Sequence, residues 1–136
     1  MKLLLDTHIW IWGVLEPDRL SRRVRKELDN PANELWLSPI SIWELLSLHA
    51  KKRVLLDTPV EAWIAEALRA APKIEAPMTY DIALESHRIA LPHRDPADRF
   101  LVATANVFGL TLVTADATLI EAKACSILAN RLPLVK

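Results

Sequence analysis

Short, unbroken apolar runs separated by helix-patterned segments constrain this 136-residue chain more than any other feature. Leu3-Leu4-Leu5 is apolar at consecutive positions. A strand with one wet face alternates in polarity, whereas a continuous run is buried on both faces, and this one is too short for a helix. Glu34-Leu35-Trp36-Leu37 reads as the next strand, Leu110-Thr111-Leu112-Val113-Thr114 is the clearest one, Lys73 to Met78 is a weaker strand, and a last strand falls near Ile127 or Leu134. Thr7 is the expected cap of a helix ending near Gly13, and Ser21 caps a second with Val24 and Leu28 inward. Ser38-Pro39 opens a third helix, with the cap and first-turn proline in the expected order. Thr58-Pro59-Val60-Glu61 reads as a capping box that opens a fourth, burying Trp63, Ile64, Ala67 and Leu68. Thr79 opens a fifth, running to about Ala90. A sixth runs from about Ala97 to Phe108 before Gly109, and a short one starts at Ala117. Strands alternating with helices predict an α/β protein. The expected arrangement is a three-layer α/β/α sandwich with a central, mainly parallel sheet of four or five strands, formed by residues 1–136 as a single domain.

Composition removes several functions. Gly13 and Gly109 are the only glycines, so neither a dinucleotide-binding nor a P-loop glycine motif can be built. The lone Cys125 has no thiol partner for a disulfide or a Cys-based zinc site, and His8, His49, His87 and His93 lack metal-ligand spacing. Lys and Arg together number 17, as do Asp and Glu, which argues against a protein held to nucleic acid by bulk positive charge. No apolar run approaches the ~20 residues of a membrane span. Asp6 interrupts the opening leucines before a signal-peptide core can accumulate. A cytoplasmic location is expected.

The acidic residues fall where such a sheet binds ligands, beyond the carboxyl ends of its strands. Asp6 follows the first run directly, Asp116 follows Thr114 by two residues, and Asp98 lies in the first turn of the helix after Asp95-Pro96. Glu44 sits mid-helix on a narrow polar seam with Ser41 and Ser47, with no Lys or Arg three or four residues away to pair with it. Carboxylates brought together repel and call for a cation, and oxygen-only ligands select a hard ion such as Mg²⁺ or Mn²⁺. The aspartates also have structural uses. Asp95 and Asp116 are good helix caps, Asp98 resembles the far half of a capping box opened by Asp95, and Asp6 suits a strand-to-helix turn, whereas Glu44 is the least easily explained in this way.

Four segments in order carry a resemblance: Leu4-Leu5-Asp6-Thr7-His8, Ser38-Pro39-Ile40-Ser41-Ile42-Trp43-Glu44-Leu45, His93-Arg94-Asp95-Pro96-Ala97-Asp98-Arg99-Phe100, and Leu112-Val113-Thr114-Ala115-Asp116. Together they resemble the PIN-domain family, and most of all the VapC-type toxins of bacterial toxin–antitoxin pairs. The resemblance implies a metal-dependent endoribonuclease that hydrolyses RNA phosphodiesters using one or two Mg²⁺ or Mn²⁺ ions. Asp6, Glu44, Asp98 and Asp116 match the family's acidic quartet, with Glu44 acting as a ligand or orienting the attacking water. Thr7 and Thr114 stand where hydroxyl residues support the site. Asp95 belongs to the matched segment and is assigned to capping first. Ala97 departs from the aromatic residue often found there. The resemblance further implies an RNA substrate, a cognate antitoxin and a homodimer.

Arg94 and Arg99 flank Asp98, and Lys51, Lys52 and Arg53 end the helix that carries Glu44, which makes all five candidates for substrate phosphates. Solvated helix surface, or favourable charge at a helix C-terminus, is the competing role. Trp10, Trp12 and Trp43 lie beside site positions and can stack bases, although their apolar neighbours favour core packing or a subunit interface. A catalytically inactive PIN-like binding module is the main alternative. A Mg²⁺-dependent phosphoacceptor receiver ranks lower, because no strand in the middle of the chain ends in Asp.

Overall fold

A computed structural model describes residues 1–92 and 95–132. Five strands form one parallel sheet: β1 (Lys2–Leu5), β2 (Glu34–Leu37), β3 (Ile74–Glu75), β4 (Thr111–Thr114) and β5 (Ile127–Ala129). Their order is β3-β2-β1-β4-β5. The chain therefore starts at the centre, steps outward to β3, then returns to build the other half from β4. Reversal of direction between β1 and β4 leaves a crevice beyond their carboxyl ends. Register pairs Leu5 with Val113, so Asp6 and Thr114 emerge side by side at that crevice.

The unbroken leucine run works as a doubly buried strand. Leu3 and Leu5 point into one core with Ile9 and Trp10 of α1 (Thr7–Leu15), Val24 of α2 (Arg22–Asp29), Leu45 of α3 (Pro39–Ala50) and Trp63 of α4 (Val60–Ala70). Leu4 points to the other, against Leu101, Val102 and Ala105 of α6 (Pro96–Phe108) and Leu119 of α7 (Ala117–Ala122). Leu3 and Leu4 are fully buried, and each such side chain contributes roughly 1.5–3 kcal/mol. Helix α5 (Tyr80–Arg88) packs on α6, and the α/β/α sandwich is complete.

Several boundaries differ from expectation. Asp6, not Thr7, caps α1. It has extended backbone and accepts the Thr7 N–H, so Thr7 is already helical and its hydroxyl is free for another use. Gly13 does not end that helix, which runs on to Leu15. The capping box at Thr58 is not formed. Pro59 is extended (ψ 141°) and stands at the cap position without a side-chain bond, which makes Glu61 only the second helical residue. β3 keeps two residues of the six expected. Ser21, Ser38, Thr79 and Asp95 cap α2, α3, α5 and α6 as expected, and Gly109 closes α6 with a left-handed φ of 65°. The final strand is β5 at Ile127, while Leu134 lies outside the described residues.

Candidate active site

Asp6, Glu44, Asp98 and Asp116 line a single cleft of about 340 Å³, together with His8, Trp12, Asp95 and Ala115. Four elements deliver the acids: the end of β1, the middle of α3, the first turn of α6 and the loop after β4. Asp6 and Asp98 are each only 8% exposed.

Thr7 and Thr114 hold Asp6 and Glu44 in place and tie in the Asp116 backbone. Asp6 Oδ1 accepts the Thr7 N–H at 2.7 Å, and Oδ2 accepts the Thr114 hydroxyl at 2.6 Å. Thr114 Oγ1 also accepts the Asp116 N–H at 3.1 Å, so one buried hydroxyl ties the loop after β4 to the acid after β1. The Thr7 hydroxyl donates to Glu44 Oε1 and lies 3.0 Å from Ser41 Oγ. The polar seam of α3 thus finds its partner on α1. No cation is needed to explain how a half-buried acid is tolerated there. Asp95 accepts the Ala97 N–H as a cap and also lines the cleft, and Asp116 caps α7 through Thr118 and Leu119 while doing the same. Both residues thus combine a helix cap with a place in the cleft lining.

Burial, with a smaller contribution from neighbouring acids, raises two of the carboxyls. Burial pushes the Asp6 carboxyl above its ordinary value, and the Asp116 charge adds to this. The bonds from Thr114 and Thr7 and the nearby His8 only partly offset the rise. Glu44 is raised as well, by burial first and then by the charges of Asp6 and Asp95, against the bond from Thr7. Among the described residues the ion pairs join Arg19 to Glu16, Arg25 to Asp18 and Arg69 to Glu66, and none falls on Asp6 or Glu44. Elsewhere, burial lifts the Cys125 thiol to about 11, which disqualifies it as a nucleophile.

The donor set suits a hard divalent cation. Carboxylate oxygens surround a cleft with room for water, and a cation would relieve the repulsion that raises Asp6 and Glu44. Among the described residues no three acidic, His or Cys side chains are drawn together tightly enough to hold an ion as they stand.

The basic candidates divide. Arg99 does not line the cleft. Its guanidinium donates to the carbonyls of Ser86 at 2.6 Å, Leu91 at 3.1 Å and Ile89 at 3.3 Å, which fastens the end of α5 and the following loop to α6. Lys51 and Lys52 are exposed beyond α3 and also lie off the cleft, Arg53 lines the adjoining groove, and Arg94 lies outside the described residues. Trp10 is core, edge-on to Trp63, whereas Trp43 is 61% exposed. Sequence reasoning missed the wall that His8 and Trp12 form. Their spacing of four along α1 was the available signal.

A parallel α/β/α domain with carboxylates collected at its topological switch point is a fold built around an acidic polar site. A PIN-domain family model matches residues 3–124, and the chain belongs to the PIN-domain family. It is 37% identical over 117 residues to ribonuclease VapC22 of Mycobacterium tuberculosis, covering 84% of this chain and 86% of that protein. The fold is similar to that of VapBC2 from Rickettsia felis bound to a promoter DNA fragment, at a TM-score of 0.69 and 14% identity over 96% of this chain and all of that one. It is also similar to VapBC-5 from Mycobacterium tuberculosis, of the VapBC family of toxin–antitoxin systems. There the TM-score is 0.60 and the identity 18%, over 96% of this chain and 98% of that one.

Proposed function

We propose that this protein is a divalent-metal-dependent endoribonuclease, the toxin half of a VapBC-like pair. The observation that carries the reading is the convergence of Asp6, Glu44, Asp98 and Asp116 on one cleft, with Asp6 and Glu44 both raised by burial and by their acidic neighbours. Similarity to a named ribonuclease supports the substrate class. Asp6, Asp98 and Asp116 would hold Mg²⁺ or Mn²⁺, one ion or two, and the metal supplies charge neutralisation at the phosphate and acidification of bound water.

The chain's own residues do the rest. Thr114 and Thr7 fix the Asp6 carboxylate so that it cannot rotate away from the cleft. Glu44, pinned at Oε1 by Thr7, takes up the proton of the attacking water at its other oxygen. A carboxyl with a raised pKa suits that role better than an ordinary one. The water oxygen forms the new bond to phosphorus as the bond to the RNA 3′ oxygen breaks, and that oxygen leaves with a proton from solvent.

We also propose a cognate antitoxin and a homodimer. The VapBC names of the similar structures support the first. Exposed Trp43 and Leu46, beside an apolar groove of about 400 Å³, give both a surface of suitable chemistry. No described helix is long and apolar enough to cross a membrane. Incubation with structured RNA and Mn²⁺ tests the activity. Cleavage abolished by a chelator supports the nuclease, whereas uncut RNA bound by a folded protein supports an inactive binding module instead.

A further inference from the structure

The acidic cleft does not end at its own rim. His8 and Trp12 also line a second groove, of about 730 Å³, that continues past Glu16 and Arg19 to Arg53. The two spaces therefore adjoin at His8 and Trp12, on the first turns of α1. In the second groove the Arg19 guanidinium lies over the Trp12 ring, 4.1 Å from its centroid, and the His8 ring meets the same indole at 5.6 Å and 52°. Glu16 pairs with Arg19 at 3.1 Å and steadies it there, while the arginine side chain stays 55% exposed. Its outer face is open to solvent. Arg53 is exposed, and among the described residues no acid pairs with it.

An acidic cleft repels the phosphates on either side of the bond it cuts, so a strand crossing it needs cations and stacking surfaces just outside. Guanidinium planes and indoles stack bases, and an unpaired arginine takes a phosphate. We propose that single-stranded RNA leaves the acidic cleft over His8, stacks a flanking base on the Arg19–Trp12 pair and gives the adjoining phosphate to Arg53. This rests on the ribonuclease reading and assigns its substrate a route. Leu15, Leu48 and Leu55 in the groove's lining suit a protein occupant too, but its place beside the acidic cleft, the Arg19–Trp12 stack and the unpaired Arg53 favour the nucleic acid.

The test uses the full chain and a fluorescein-labelled, mixed-sequence single-stranded RNA of about 20 nucleotides, long enough to span cleft and groove. Binding is read by anisotropy in EDTA and KM by cleavage in Mn²⁺, and whichever signal the parent gives decides. Arg53→Glu and Trp12→Ala should each weaken binding about tenfold, with KM rising more than kcat falls. Arg53→Glu should also lower the salt slope by about one. Trp12→Phe, which keeps the packing of this half-buried position, should lie between, and Arg22→Glu on exposed α2 should match the parent. Parental affinity, KM and salt slope in Arg53→Glu and Trp12→Ala would overturn the route and leave the ribonuclease reading standing. The same result with loss of self-association in sedimentation would make the groove a protein interface and equally overturn it. A parent that neither binds nor cuts RNA would remove both.

Discussion

Replacing Thr114 by valine probes the hydroxyl that joins the two halves of the sheet. Valine matches the shape, so the fully buried pocket is still filled, and only the polar group is lost. Two bonds disappear with it: the 2.6 Å donation to Asp6 and the 3.1 Å acceptance from Asp116. Leaving a buried partner unsatisfied costs about 1–3 kcal/mol, and water reaching the Asp116 amide from the cleft offsets part of the second loss, so the total should be about 2–4 kcal/mol. The cost should depend on pH. The Thr114 bond lowers an Asp6 carboxyl that burial raises, so its removal raises that carboxyl further. A buried acid with a raised folded-state pKa penalises folding increasingly as pH climbs through that value. Urea denaturation should therefore show a larger deficit at about pH 8 than at about pH 5, and Thr114→Ser should restore most of it. A deficit below about 0.5 kcal/mol at both pH values, or one larger in acid, would refute the bridging role.

Other consequences follow from the same geometry. Arg99→Ala removes three donors from main-chain carbonyls and should destabilise the protein by about 2–4 kcal/mol in thermal or urea unfolding. A variant as stable as the parent would show that the arginine is free to serve substrate. Asp6 and Glu44 are both raised, so without metal their contribution to stability is fully present in acid, below the ordinary carboxylate range, and is lost as pH rises through their elevated values. Added Mn²⁺ should then raise the melting temperature more at about pH 8 than at about pH 5, because fewer protons compete for the carboxylates. Equal shifts at both pH values would place the ion elsewhere.

Local rules recovered the frame because most elements here obey them. Leu3, Leu4 and Leu5 are apolar in succession since β1 has a core on both faces, and no alternating strand could occupy that place. Side-chain caps at Ser21, Ser38, Thr79 and Asp95 follow from local geometry alone. β3 was overread because an edge strand is set by pairing with β2, where only Ile74 and Glu75 keep register and Ala76 adds one last bond to Leu37. Thr7 looked like a cap because Asp6 and Thr7 are both capping residues. The choice fell to Asp6 once Thr7 was claimed by Glu44, 37 positions away. Arg99 was misplaced for the same reason. Its carbonyl partners lie at the end of α5 and in the loop after it, whose path no local pattern fixes. The acids were found because each stands at an element's end or on a seam too polar for its helix. His8 and Trp12 were not recognised as a wall because α1 is apolar nearly all round.

Asp6→Asn offers the sharpest measurement. The amide keeps the size and one acceptor oxygen for the Thr7 N–H, its NH2 replaces the oxygen that took the Thr114 hydroxyl, and one charge leaves the cleft. With equal folding and saturating Mn²⁺, single-turnover cleavage of a defined RNA should fall at least about a hundredfold, and calorimetric Mn²⁺ affinity should fall with it. Cleavage at the parental rate would contradict the acidic, metal-loaded site on which the reading of this protein rests.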